Sequence, residues 1–201
     1  DFYRLNVGKA LQSIEERAGP GEYYVTVADS DYIENLSFGV DKIDTTPLLL
    51  GNKVIGSSSS DIILANQDQK SYFGGLGDDT FITTASGVLL SGGSGDDQYF
   101  VDSVNVIVQE AISNGTDSVF SSVDFDLSAN SNQIENLNLL GSQNISGYGN
   151  AASNFIIGNS GNNILMGDDG NDTIRGEGGN DTINGGNGDD VIDGGSGSDI
   201  L

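Results

Sequence analysis

GDDGNDTIRGEGGNDTINGGNGDDVIDGGSGSDIL, residues 167–201, restates one pattern every nine residues. Each unit opens on glycine, sets an acidic residue at its sixth position and places an aliphatic residue at its eighth. Extended back to Gly149, position six reads Asn154, Asn163, Asp172, Asp181, Asp190 and Asp199. Position eight reads Ile156, Leu165, Ile174, Ile183, Ile192 and Leu201. An earlier array keeps the same period from Gly56, with Ile63, Tyr72, Phe81, Leu90 and Tyr99 at position eight.

The pattern has a physical reading. Glycine tolerates positive φ, so the first half of each unit can turn tightly. The second half, one apolar residue between polar ones, suits a very short strand with one inward side chain. Such a strand cannot stand alone and must stack on its neighbours. Two units turning opposite ways close one flattened coil, so position-six residues two units apart lie above one another at about 4.8 Å, one strand spacing. Asp61, Asp79 and Asp97 form one such column, and Lys70 and Val88 form the opposite, metal-free edge. Further on, Asp172 lies below Asp190 and Asp181 below Asp199. Asn163, beneath Asp181, could lend an amide oxygen to a weaker site, whereas the loop of Asn154 lacks the fourth-position glycine. A bare column of carboxylates repels itself. A hard divalent cation held by carboxylate and carbonyl oxygens reverses that, and calcium accepts an irregular oxygen cage best. The expected metal ligands are therefore Asp61, Asp79, Asp97, Asn163, Asp172, Asp181, Asp190 and Asp199.

Units 74–82, 92–100, 167–175, 176–184 and 185–193 resemble the GGxGxDxUx nonapeptides of the RTX (hemolysin-type) calcium-binding proteins. The resemblance implies an all-β fold, a parallel β-roll or right-handed β-helix solenoid with calcium in its Gly-rich turns. It also implies bacterial export by a type I system, with folding in calcium-rich surroundings outside the cell or at its surface. Hosts of such segments include adhesins, toxins, surface-layer proteins, proteases and lipases.

Residues 101–148 break the period, yet Val119, Leu137 and Ile156 keep near-coil intervals, as do Asp117, Glu135 and Asn154. This reads as continued solenoid with longer, calcium-poor coils. DFYRLNVGKALQSIEERAGPGEYYVTV (1–27) also aligns with DQYFVDSVNVIVQEAISNGTDSVFSSV (97–123). Two modules are expected, 1–96 with its β-roll from about residue 47, and 97–201 with its β-roll at 149–201, in one continuous solenoid. Val7–Arg17 fits a weak helix, and a strand or an irregular coil equally well. Asp1 aligns with Asp97 inside a repeat, so further repeats or domains of the same chain are expected on both sides.

Composition narrows the function. The chain has 201 residues, 30 Gly, no Cys and no His, and a formal charge of −23. That acidity opposes nucleic acid and anionic membranes, and no apolar run is long enough to span a bilayer. Without His or Cys, the usual triads and zinc ligands are missing. Pairs such as Asp78–Asp79 could be glycosidase carboxylates, but neighbours on one loop point apart and sit inside the repeats. The favoured reading is a non-catalytic, calcium-binding structural segment of a large extracellular protein. Its rivals are a β-helical part of a secreted polysaccharide-acting enzyme and a carbohydrate- or partner-binding module. For the last, Tyr23, Tyr24, Tyr72, Phe73, Tyr99 and Phe100 could form a sugar-binding face, although half of them, Tyr72 and Tyr99 included, fall at inward positions that favour core filling.

Overall fold

The structure, a computed structural model, describes residues 11–16, 23–27, 41–44, 53–56, 59–66, 68–110, 115–130 and 133–201, the first three segments and 53–55 as backbone only. The place of Asp1 lies outside the described residues. Two compact units result, one of 1–99 with 105–115 and one of 100–104 with 116–201. Every element described is a strand, and among the described residues no helix is long and apolar enough to cross a membrane.

In the first unit the strands are β1 (Leu11–Glu16), β2 (Tyr23–Val27), β3 (Asp41–Asp44), β4 (Lys53–Ile55), β5 (Asp61–Ala65), β6 (Ser71–Leu76), β7 (Thr80–Thr83), β8 (Leu89–Ser94), the first half of β9 (Gln98–Val101) and β10 (Ile107–Val108). Within the segment read as helix, strand or irregular coil, Leu11–Glu16 is a strand, paired antiparallel with β2. The others stack in parallel on two faces, β3-β5-β7-β9 and β4-β6-β8-β10. Register sets Ile63 beside Phe81 and Tyr72 beside Leu90, one coil apart. These side chains and Tyr99 are fully buried, and the rings of Phe81 and Tyr99 stack at 5.1 Å between centroids. Tyr72 and Tyr99 thus fill the core and are not available to a sugar.

The second unit holds β11 (Ser118–Ser121), β12 (Phe125–Asp126), β13 (Asn136–Leu139), β14 (Ser146–Tyr148), β15 (Phe155–Ile157), β16 (Ile164–Met166), β17 (Thr173–Arg175), β18 (Thr182–Asn184) and β19 (Val191–Asp193). One face runs β11-β13-β15-β17-β19 and the other β12-β14-β16-β18, all parallel. Val119, Leu137, Ile156, Ile174 and Ile192 are direct register neighbours. The step from Leu137 to Ile156 carries one residue more than the repeat allows and is absorbed outside the strands. Residues 116–130 and 133–148 are therefore coils of the same solenoid. Full burial of an aliphatic side chain stabilises by about 1.5–3 kcal/mol. In a stack of strands only three or four residues long this column is the main cohesive term, acting between nearest neighbours.

Candidate metal centre

The turns that end in Asp79, Asp97, Asp172, Asp181, Asp190 and Asp199 share one backbone shape. Positions two and four both take positive φ: Gly75 and Gly77, Gly93 and Gly95, Asp168 and Gly170, Glu177 and Gly179, Gly186 and Gly188, Gly195 and Gly197. Asp168 (φ 79°) and Glu177 (φ 70°) adopt it without being glycine, a cost of about 1–2 kcal/mol each. Backbone strain of this kind concentrates at functional sites.

The shape aims the polar groups. In the last repeats the position-two N–H points outward, Gly186 to Asn184 Oδ1 at 3.2 Å and Gly195 to Asp193 Oδ1 at 3.0 Å. No N–H then competes for the aspartate within the loop. Its Oδ1 instead accepts the N–H of position six one coil earlier. Asp61 donates to Asp79 and Asp79 to Asp97, both at 2.7 Å. Asp172 donates to Asp190 and Asp181 to Asp199, both at 2.9 Å. The other oxygen, Oδ2, is buried and lacks a hydrogen-bond partner in Asp79, Asp172 and Asp181. It faces a cradle that only glycine leaves open. A Cβ on Gly74 would strike Asp79 Oδ2 and the Gly92 carbonyl oxygen, and one on Gly167 would strike Asp172 Oδ2 and the Gly185 carbonyl oxygen. Gly176 stands likewise against Asp181 Oδ2 and Gly194 O.

An unsatisfied buried carboxylate oxygen is costly. Burial, with the charges of Asp97, Asp61 and Asp78, pushes the Asp79 carboxyl up to about 8 despite the Asp61 N–H that favours its ionised form. Burial raises Asp172 and Asp181 as well, each against the pull of a backbone N–H. A cation facing Oδ2 would remove this penalty. Among the described residues no three carboxylates, His or Cys converge, so such an ion would draw on carbonyl oxygens beside one or two aspartates. A hard-oxygen cage of that kind fits calcium.

The neighbouring position five faces the other way. Its side chain accepts the N–H of position five one coil later: Ser60 from Asp78, Asp78 from Asp96, Asn162 from Asn180, Asn171 from Asp189. Adjacent residues of an Asp–Asp pair thus clamp coils in opposite directions. Sequence reasoning passed over this second ladder, although Ser, Asn or Asp stands at every one of these positions. It also passed over Glu110, which stands two repeats after Gly92 where other units have glycine, is buried and accepts Gly92 N–H (2.7 Å), Gly93 N–H (3.0 Å) and the Tyr99 hydroxyl. In the irregular coils Glu135 takes an aspartate's place and accepts Asp117 N–H at 2.9 Å.

The opposite edge of the first unit is built differently. Val88 is fully buried, Thr83 Oγ1 donates to the Ala65 carbonyl at 2.7 Å, and Ser86 N–H donates to Asp68 Oδ1 at 2.8 Å. Its positive φ falls at position five instead, in Gln69 and Gly87. Asn163, expected to offer an amide oxygen to a cation, has that oxygen accepting Asn159 N–H at 2.8 Å. Its amide nitrogen donates to the Ile145 carbonyl at 2.9 Å.

Fold and loops together define a calcium-type repeat solenoid, glycine-turned and closed by stacked aspartates. The RTX calcium-binding nonapeptide repeat, a family model of four copies, matches residues 73–105, 148–183 and 166–201. These matches and the parallel β-solenoid fit an RTX β-roll repeat protein, and that repeat family implies calcium binding. No curated protein matches it.

Proposed function

We propose that this chain is a non-catalytic, calcium-binding structural segment of a larger extracellular protein, folding on calcium after export. Asp61, Asp79 and Asp97 hold ions along one edge of the first unit, Asp172 with Asp190 and Asp181 with Asp199 along two edges of the second. The observation that carries the reading is the set of buried Oδ2 atoms of Asp79, Asp172 and Asp181, each facing a glycine-only cradle beside a carbonyl oxygen. The net charge of −23 agrees, since self-repulsion opposes compaction until cations bind. Family resemblance supplies the secreted setting, because RTX repeat proteins are typically exported.

Calorimetric titration tests the reading. Calcium should bind to chelator-treated protein, and millimolar magnesium should neither replace it nor displace it, because magnesium demands tight octahedral geometry and gives up water reluctantly. Equal binding of both ions would contradict a wide carbonyl cage.

A further inference from the structure

Two repeats in the second unit keep the period but not the loop. In 149–157 and 158–166 asparagine occupies both position two and position six, as Asn150 with Asn154 and Asn159 with Asn163. None of these loops' residues takes positive φ. The position-two N–H therefore points inward, Asn150 to Asn154 Oδ1 and Asn159 to Asn163 Oδ1, both at 2.8 Å. That is the donor the aspartate loops turn away. The position-six amide donates back to position two, Asn154 Nδ2 to Asn150 Oδ1 at 3.2 Å and Asn163 Nδ2 to Asn159 Oδ1 at 3.1 Å. Each Nδ2 also reaches a carbonyl of the preceding coil, Ile134 at 3.1 Å and Ile145 at 2.9 Å. The position-two amides bond outward too, Asn159 to Leu140 O (3.1 Å) and Gln143 O (3.0 Å), Asn150 to Ile134 O (2.9 Å). All four side chains are buried. A cation here would meet N–H donors, so the residues present do not fit one.

We infer that the residue pair at positions two and six decides whether a turn takes calcium or closes on itself. The asparagine pairs make 149–166 ion-free, folded without calcium, and a template for the aspartate repeats after it. The template contacts are direct: Asn154 N–H donates to Asp172 Oδ1 and Asn163 N–H to Asp181 Oδ1, each at 2.7 Å. Asp172 and Asp181 thus start from a formed rung and share an ion only with the aspartate above. The same rule explains Ala152 at position four. Its φ is not positive there, so glycine is not required.

This inference rests on reading the aspartate loops as calcium sites, and two measurements on the full chain separate the two claims. The first is residue-resolved hydrogen exchange in chelator. The amides of Asn150, Ala152, Asn159 and Gly161, each bonded to an asparagine side chain, should stay protected. Those of Val191 and Ile200 should approach the unprotected rate and slow only when calcium is added. Protection of 149–166 that appears only with calcium would overturn the template. The second is the number of ions bound, read by equilibrium dialysis with calcium alone. Asn159→Gly with Asn163→Asp, where Gly161 already stands at position four, should add one ion to the wild-type count. Asn150→Gly with Asn154→Asp should add none, because Ala152 resists the loop's positive φ. An unchanged count in the first variant, or a gain in the second, would overturn the residue-pair rule. A wild type that binds no calcium would instead remove the aspartate sites, leaving the exchange result as the test of amide closure.

Discussion

Chelating calcium from this protein should remove most of the β-signal of residues 56–100 and 167–201 in far-ultraviolet circular dichroism, and millimolar calcium should restore it cooperatively. The strands there are mostly three to six residues long, below what an isolated strand can sustain. They hold only by stacking, and each aspartate-closed coil buries a carboxylate oxygen without a protein partner at Asp79, Asp172 or Asp181. Without the cation that oxygen must be protonated, hydrated by opening the turn, or left at a cost of about 1–3 kcal/mol or more for a charged group. Strained turns at Asp168 and Glu177 add to it. Against marginal net stability, several such penalties in one nearest-neighbour stack exceed what position-eight burial returns. Identical spectra with and without calcium would show that hydrophobic stacking alone holds the coils.

Asp79→Ala should be the most damaging single aspartate substitution in the first unit. Asp79 is the middle rung: its Oδ1 accepts Asp61 N–H, its own N–H donates to Asp97 Oδ1, and its Oδ2 faces the Gly92 carbonyl. Removal orphans a buried N–H and takes the shared carboxylate from the sites below and above. Breaking one partner out of a buried charge cluster costs about 3–5 kcal/mol. Asp78→Ala removes the same charge one residue away. Asp78 is exposed and holds only the position-five ladder through Asp96 N–H at 2.9 Å, so it should cost about 0.5–1.5 kcal/mol. Asp79→Asn keeps an acceptor for Asp61 N–H and isolates the cation's share. Thermal melts in calcium should rank Asp79→Ala worst, Asp79→Asn close behind and Asp78→Ala mild. Near-wild-type stability of Asp79→Asn would mean that the hydrogen bond matters and the ion does not.

Period and chemistry made the solenoid legible. A nine-residue period sets Ile63, Phe81 and Tyr99, or Ile156, Ile174 and Ile192, two repeats apart and can bury them only by stacking two repeats per coil, and register confirms that stacking. Leu201, at the same position, is nonetheless 68 % exposed, because no strand lies above it among the described residues. Less legible was anything that depends on which way a peptide faces. Aspartate and asparagine at position six look interchangeable as oxygen donors, yet Asn163 spends its oxygen on Asn159 N–H. The clue lay at position two, where asparagine replaces glycine or an acidic residue, and the positive φ of Asp168 and Glu177 could not be read from side chains that usually avoid it. Glu110 escaped notice because it stands where the pattern has glycine, in a stretch without the other marks of a repeat, and caps Gly92 and Gly93.

The most direct test is to locate the ions, by growing crystals in calcium and mapping anomalous difference density at a wavelength where calcium scatters anomalously. The account predicts peaks between Asp61 and Asp79, Asp79 and Asp97, Asp172 and Asp190, and Asp181 and Asp199, with none beside Lys70, Val88, Asn154 or Asn163. A peak beside Val88, or aspartate edges without density at saturating calcium, would contradict it.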